Sequence, residues 1–125
     1  MRTLIIIPVL LFSLFLGTPS YSADFNKGLT AAQSGDFATA LKEWKPLAGQ
    51  GDADAQYNLG VMYALGEGVI KDYVYAHMWG NIASMNGNDK GETLRGYVAE
   101  KMTSSQIEEA QRLARECVKK NYKGC

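Results

Sequence analysis

The stretch that most constrains this chain is residues 53–87, ADAQYNLGVMYALGEGVIKDYVYAHMWGNIASMNG. Its first part has helical spacing: Ala55, Leu59 and Met62 fall on one face, with Leu65 one turn on, and Asp52 or Asp54 can cap the start. Gly66-Glu67-Gly68 interrupts the helix, and two glycines so close suggest backbone positions with positive φ. Asp72 then fits a second N-cap. Tyr73, Ala76, Trp79, Gly80 and Ala83 follow as a stripe of small and aromatic residues, and Gly87 fits a left-handed stop. The pattern is an αα-hairpin. Gly60 and Ala76 lie mid-helix, where a glycine costs about 1 kcal/mol relative to alanine, so the two helices are expected to cross closely there.

One hairpin cannot bury both of its faces, and the sequence supplies copies. Asp36, Phe37, Ala40 and Gly51 stand 36 residues before Asp72, Tyr73, Ala76 and Gly87. Phe25 and Gly28 stand 32 residues before Tyr57 and Gly60, the difference matching a shorter loop at residues 33–36. Gly96 lies 36 residues after Gly60, and Ala110 opens a third copy of the second helix. The segment from Ala55 through Leu59-Gly60, Tyr63, Gly66, Gly68-Val69, Asp72-Tyr73, Ala76 and Trp79 resembles a Sel1-like repeat, a relative of the tetratricopeptide repeats. The resemblance implies an all-α fold, a short α-solenoid of about three antiparallel helix pairs, that serves as a protein-interaction scaffold.

The first 23 residues stand apart. Met1-Arg2-Thr3 is a short positive start, and Leu4 to Leu16 is an apolar run of 13 residues. A helix spanning a bilayer needs about 20. Gly17 to Ala23 follows as a breaker with small residues. This reads as a secretory signal peptide cut after Ser22 or Ala23, Tyr21 being an awkward residue three positions before the second bond; an uncleaved anchor is the alternative. No cysteine near that region suggests a lipid anchor. The expected organisation is therefore a signal peptide over 1–23 and a repeat domain over 24–125, made of an N-terminal degenerate repeat (24–51), the central repeat (52–87) and a C-terminal cap (88–125). Removal of the leader leaves 102 residues with a formal charge of −1. So even a balance gives no reason to expect a nucleic-acid partner or an anionic membrane surface. The localisation expected is periplasmic or secreted, in a bacterial envelope, with no stable membrane anchor after cleavage.

Along the processed chain, helices are expected over 24–34, 36–49 (kinked or ended early by Pro46), 53–65, 72–86, 92–101 and 105–120. Asn86 to Gly91 is rich in turn residues and is expected to be mobile. Thr103 and Gln106 fit a capping box.

Cys117 and Cys125 are the only cysteines. An even count in an exported chain favours a disulfide. Cys125 would open the first turn of a following repeat. Secreted members of the Sel1-like family use the same C-x7-C spacing to tie adjacent helices, and the resemblance carries that pairing to Cys117 and Cys125. Free thiols are the alternative; a redox pair is disfavoured without C-x-x-C.

No catalytic set emerges. His77 is the one histidine, so a site with two imidazoles is excluded within one chain. The G-x-S-x-G and Ser-x-x-Lys signatures are absent, and Gly66-Glu67-Gly68 is not a phosphate loop. No catalytic, cofactor or metal residues are assigned. His77 reads as a surface or partly buried helix residue, and Tyr57 and Tyr75 as the most exposed aromatics. In helical-repeat scaffolds the first helix of each pair lines the concave groove, so by analogy Asp54, Tyr57, Asn58 and Val61 would line it here; otherwise they are ordinary surface residues. The function expected is an exported, non-enzymatic module binding an unidentified protein or peptide. The alternatives are a small envelope enzyme acting on cell-wall or β-lactam substrates, and a self-associating assembly accessory.

Overall fold

The computed structural model describes Gly17 and residues 21–125. The expected signal peptide lies almost wholly outside the described residues. Six helices follow in order: α1 (Phe25–Gln33), α2 (Phe37–Gly49), α3 (Ala53–Leu65), α4 (Tyr73–Met85), α5 (Lys90–Ala99) and α6 (Ser104–Lys119). None among the described residues is long and apolar enough to cross a membrane.

Local chemistry explains where these helices begin. The side chains of Asp24, Asp36, Asp52 and Asp72 accept hydrogen bonds from the backbone N–H of Lys27, Thr39, Ala55 and Tyr75, at 2.8–3.2 Å. Each satisfies one donor that the first turn leaves open. Thr103 and Gln106 form a reciprocal capping box on α6. The ends are as regular. After α1, α2 and α4 a left-handed glycine (Gly35, Gly51, Gly87) turns the chain. The next N–H then reaches back to the carbonyl of Ala31, Leu47 or Ala83, at 2.8–3.0 Å. At Gly35 and Gly51 the following residue is also the aspartate that caps the next helix, so one Gly-Asp pair ends one helix and starts another. α6 ends the same way, with Asn121 in the left-handed position and Tyr122 N–H bonded to the Cys117 carbonyl at 2.9 Å.

The architecture is a short helical-repeat solenoid. α1 pairs with α2 and α3 with α4, and α2 packs on α3 to join the units. The third unit is different: α5 and α6 both clasp α4, while sharing little surface with each other. The main core holds Ala40, Trp44, Ala48, Ala55, Leu59, Met62, Met78, Trp79, Ile82, Ala114 and Cys117. A smaller cluster of Ala64, Ala76, Leu94 and Val98 lies between α3, α4 and α5.

Small residues set the crossings, as the spacing predicts for Gly60 and Ala76. A Cβ added at Gly60 would stand 3.3 Å from the Ala76 carbonyl oxygen and 2.7 Å from Leu94 Cδ2. Gly28 receives the face of the Trp44 indole, whose Nε1–H donates to the Phe25 carbonyl at 3.2 Å.

Several expectations need correction. Leu65 is exposed, not part of the core stripe. α2 neither stops at Pro46 nor before it, and continues to Gly49; Lys42 and Pro46 are both exposed, so water can take the carbonyl the proline leaves free. Lys90 and Gly91 are not turn but the start of α5, and Gly91 is buried against α4. Gly96, aligned with Gly60 by the period, has open space where its Cβ would be, and Gly91 makes the close approach instead.

Candidate functional site

The first helices of units one and two, α1 and α3, lie on one side of the solenoid with a recess of about 470 Å³ between them. Phe25 and Leu29 supply one wall; Asp54, Tyr57 and Asn58 supply the other; residues 87–90, from the α4–α5 turn into α5, close the end. The placement follows from helix spacing. Phe25 and Leu29 are four residues apart on α1, as Asp54 and Asn58 are on α3, so each pair shows one face. Leu29 is exposed and Tyr57 half-buried, which leaves apolar surface open to solvent.

Three of the four residues expected to line a groove are brought together here: Asp54, Tyr57 and Asn58. Val61 is not. It lies farther along α3 and packs against the cluster of Ala64, Ala76, Leu94 and Val98. Asp54 is held in place, its Oδ1 accepting from Asn88 Nδ2 at 2.8 Å. Sequence reasoning passed over Phe25 and Leu29. The signal was present in the 32-residue offset, since Phe25 corresponds to Tyr57 and Leu29 to Val61.

Behind the recess a hydrogen-bonded chain fixes the units in register. Gln56 is fully buried; its Nε2 donates to the Ala48 carbonyl at 3.1 Å and its Oε1 accepts from Asn86 Nδ2 at 2.9 Å. Asn86 Oδ1 accepts from the Tyr122 hydroxyl at 3.1 Å. The relay runs from α2 through α3 and the end of α4 to the C-terminal turn. Each buried polar group in it has a partner, which such a network needs in order to stabilise.

The other polar features do not assemble into chemistry. Among the described residues no three His, Cys, Asp or Glu side chains gather as a metal site. His77 is buried at 2% exposure, deeper than the surface or partly buried position expected, and its Nδ1 lacks a hydrogen-bond partner. Burial, then the nearby Arg95 guanidinium, hold its pKa below the ordinary value. Neither Tyr57 nor Tyr75 is the most exposed aromatic of the repeats: Tyr75 packs against the core and stacks on Tyr63 at 5.3 Å, while Tyr97 is exposed.

His77 makes a pH-dependent prediction. Its folded pKa lies below the unfolded value near 6.5, so the unfolded chain binds the proton more readily. Stability is fully present above that value and falls as pH drops below it toward the folded pKa. Denaturant titrations at pH 7.5 and 5.5 are expected to show this loss in the native protein and a smaller one in His77→Leu. Equal losses would contradict it.

The central unit matches the family model for the Sel1 repeat over residues 53–88. No curated protein and no solved structure matches the chain. The matched residues span α3, the two-glycine turn, α4 and its left-handed stop, so the central helix pair of this chain is a Sel1 repeat.

Proposed function

We propose that this chain is exported, loses its leader, and works in a bacterial envelope as a non-enzymatic module that binds a protein through the recess between α1 and α3. The observation that carries the reading is the meeting of Phe25, Leu29 and Tyr57 with the polar groups of Asp54 and Asn58 on a rigid helical frame. The Sel1 repeat supports an interaction role. The leader composition and the paired cysteines support export. The ligand that fits is an extended peptide, with one apolar side chain between Phe25, Leu29 and Tyr57 and a backbone amide within reach of Asn58. The recess is small, which suits a weak and reversible interface.

The test is selection of peptides on the purified protein, followed by titration of the enriched sequences. Tyr57→Ala is expected to weaken binding by about tenfold or more, as loss of an aromatic anchor does, with Asn58→Ala weaker by less. Peptides that bind both variants as tightly as the native protein would remove the recess from the account.

A further inference from the structure

Glu43 is the one carboxylate among the described residues that is buried, at 1% exposure. It sits on α2 and faces the start of α1. Its Oε2 accepts a hydrogen bond from the backbone N–H of Asp24 at 2.9 Å, its Oε1 accepts from the Tyr21 hydroxyl, and the Lys27 ammonium stands 3.5 Å from Oε1. Lys27 is itself mostly exposed. A buried carboxylate needs a paired charge, and this one has one solvated lysine and two neutral donors.

Two of those donors lie at the end of the expected leader. We infer that cleavage between Ala23 and Asp24 completes this site: the α-amino group released on Asp24 becomes the counterion of the buried Glu43 carboxylate. The inference rests on the export reading above. In the step, water hydrolyses the Ala23–Asp24 peptide bond under an envelope signal peptidase. The carboxylate stays on Ala23 and leaves with the leader, and the Asp24 nitrogen becomes an ammonium. Tyr21 departs with the leader, and with it both its hydroxyl bond to Oε1 and the stacking of Lys42 on its ring. The new ammonium has three N–H donors where the amide had one, so it can serve Oε2 and turn toward the vacated Oε1.

The nitrogen needs no large movement to do this. Asp24 is the N-cap of α1, its Oδ1 accepting from Lys27 N–H at 3.1 Å. α1 in turn is fixed on α2 by the Trp44 bond to the Phe25 carbonyl and by the Phe25–Trp44 ring contact at 5.9 Å. The packing also chooses between the two candidate bonds. A cut after Ser22 would leave an amide at Asp24 and carry the charge one residue away from Glu43.

The experiment expresses the full chain in an exporting bacterium, purifies the processed protein and measures its first residue by mass. Its α-amine is then acylated at neutral pH beside the free peptide Asp-Phe-Asn-Lys-Gly and beside processed Glu43→Gln. The expected first residue is Asp24. The expected α-amine reacts about tenfold more slowly than in the peptide, because pairing with Glu43 raises its pKa by about one unit, and Glu43→Gln restores the rate. The comparison with the peptide stands even where Glu43→Gln does not fold. An unprocessed chain would overturn the export reading and this inference with it. Processing at another bond, or an Asp24 amine as reactive as the peptide's, would leave export standing and overturn the pairing.

Discussion

Replacing Gly91 with alanine is expected to destabilise the protein by about 3 kcal/mol or more. A Cβ at Gly91 would stand 2.5 Å from the Gly80 carbonyl oxygen and 2.6 Å from the Ser84 nitrogen. Both are backbone atoms of α4, so no side chain can turn aside to make room. Gly80 is confined in the same contact, since a Cβ there would meet the Gly91 carbonyl oxygen at 3.0 Å. The two helices can satisfy an added methyl only by moving apart, which opens the cluster of Leu94, Val98, Ala76 and Ala64. At about 4–8 °C per kcal/mol for a domain of this size, the loss should appear as a fall in Tm of about 12–24 °C. Gly96→Ala is the matched control. It lies on the same helix with nothing near its Cβ, and should stabilise by about 0.5–1 kcal/mol through helix propensity. Thermal melts of the two variants measure the difference, and equal shifts would show that α4 and α5 do not nest.

Breaking the Cys117–Cys125 bond is expected to cost about 2–3 kcal/mol through loop closure alone. The structure joins the two, with Cα atoms 5.7 Å apart. The bridge holds the turn at residues 121–124 across the end of the solenoid. There Tyr122 bonds Asn86 and lies against Gly51, and the Lys123 ammonium donates to the Gly49 carbonyl at 3.0 Å. The turn has Asn121 and Tyr122 at positive φ, an unfavourable conformation for residues with side chains, so the covalent tie and these contacts must hold it. Denaturation of the oxidised protein and of the Cys117→Ser/Cys125→Ser variant should therefore differ by at least the loop term. A difference near zero would mean that the C-terminal turn contributes nothing to joining the units.

Much of this fold was legible because its signals are local. The capping aspartates, the left-handed glycines and the small residues at the α3–α4 crossing each declare their role through residue type and spacing. Period alone misled in the third unit. There α5 docks through Gly91, and α6 folds back on α4 instead of on α5, so the 36-residue offset to Gly96 names the wrong glycine. Glu43 was invisible for a related reason. A glutamate beside a tryptophan on an amphipathic helix reads as solvent-facing, and only its contact with the start of α1 shows it to be buried. His77 sits on a helix clasped from both sides by the third unit, so the burial of its face depends on a packing that the period does not encode. The candidate site was legible on α3 and not on α1. Asp54, Tyr57 and Asn58 were found from the repeat, whereas Phe25 and Leu29 become wall residues only once the gap between α1 and α3 exists.

If this protein works through the recess that α1 and α3 frame, a bound protein can be captured from the residues that face the gap. The most direct measurement places a photoactivatable phenylalanine analogue at residue 57, and separately at the exposed Glu108 on α6, in cells exporting the full chain. A discrete adduct with another protein is expected from position 57 and is removed by the Leu29→Asp change, with no such adduct from position 108. The same products from both positions, or none from position 57, would contradict it.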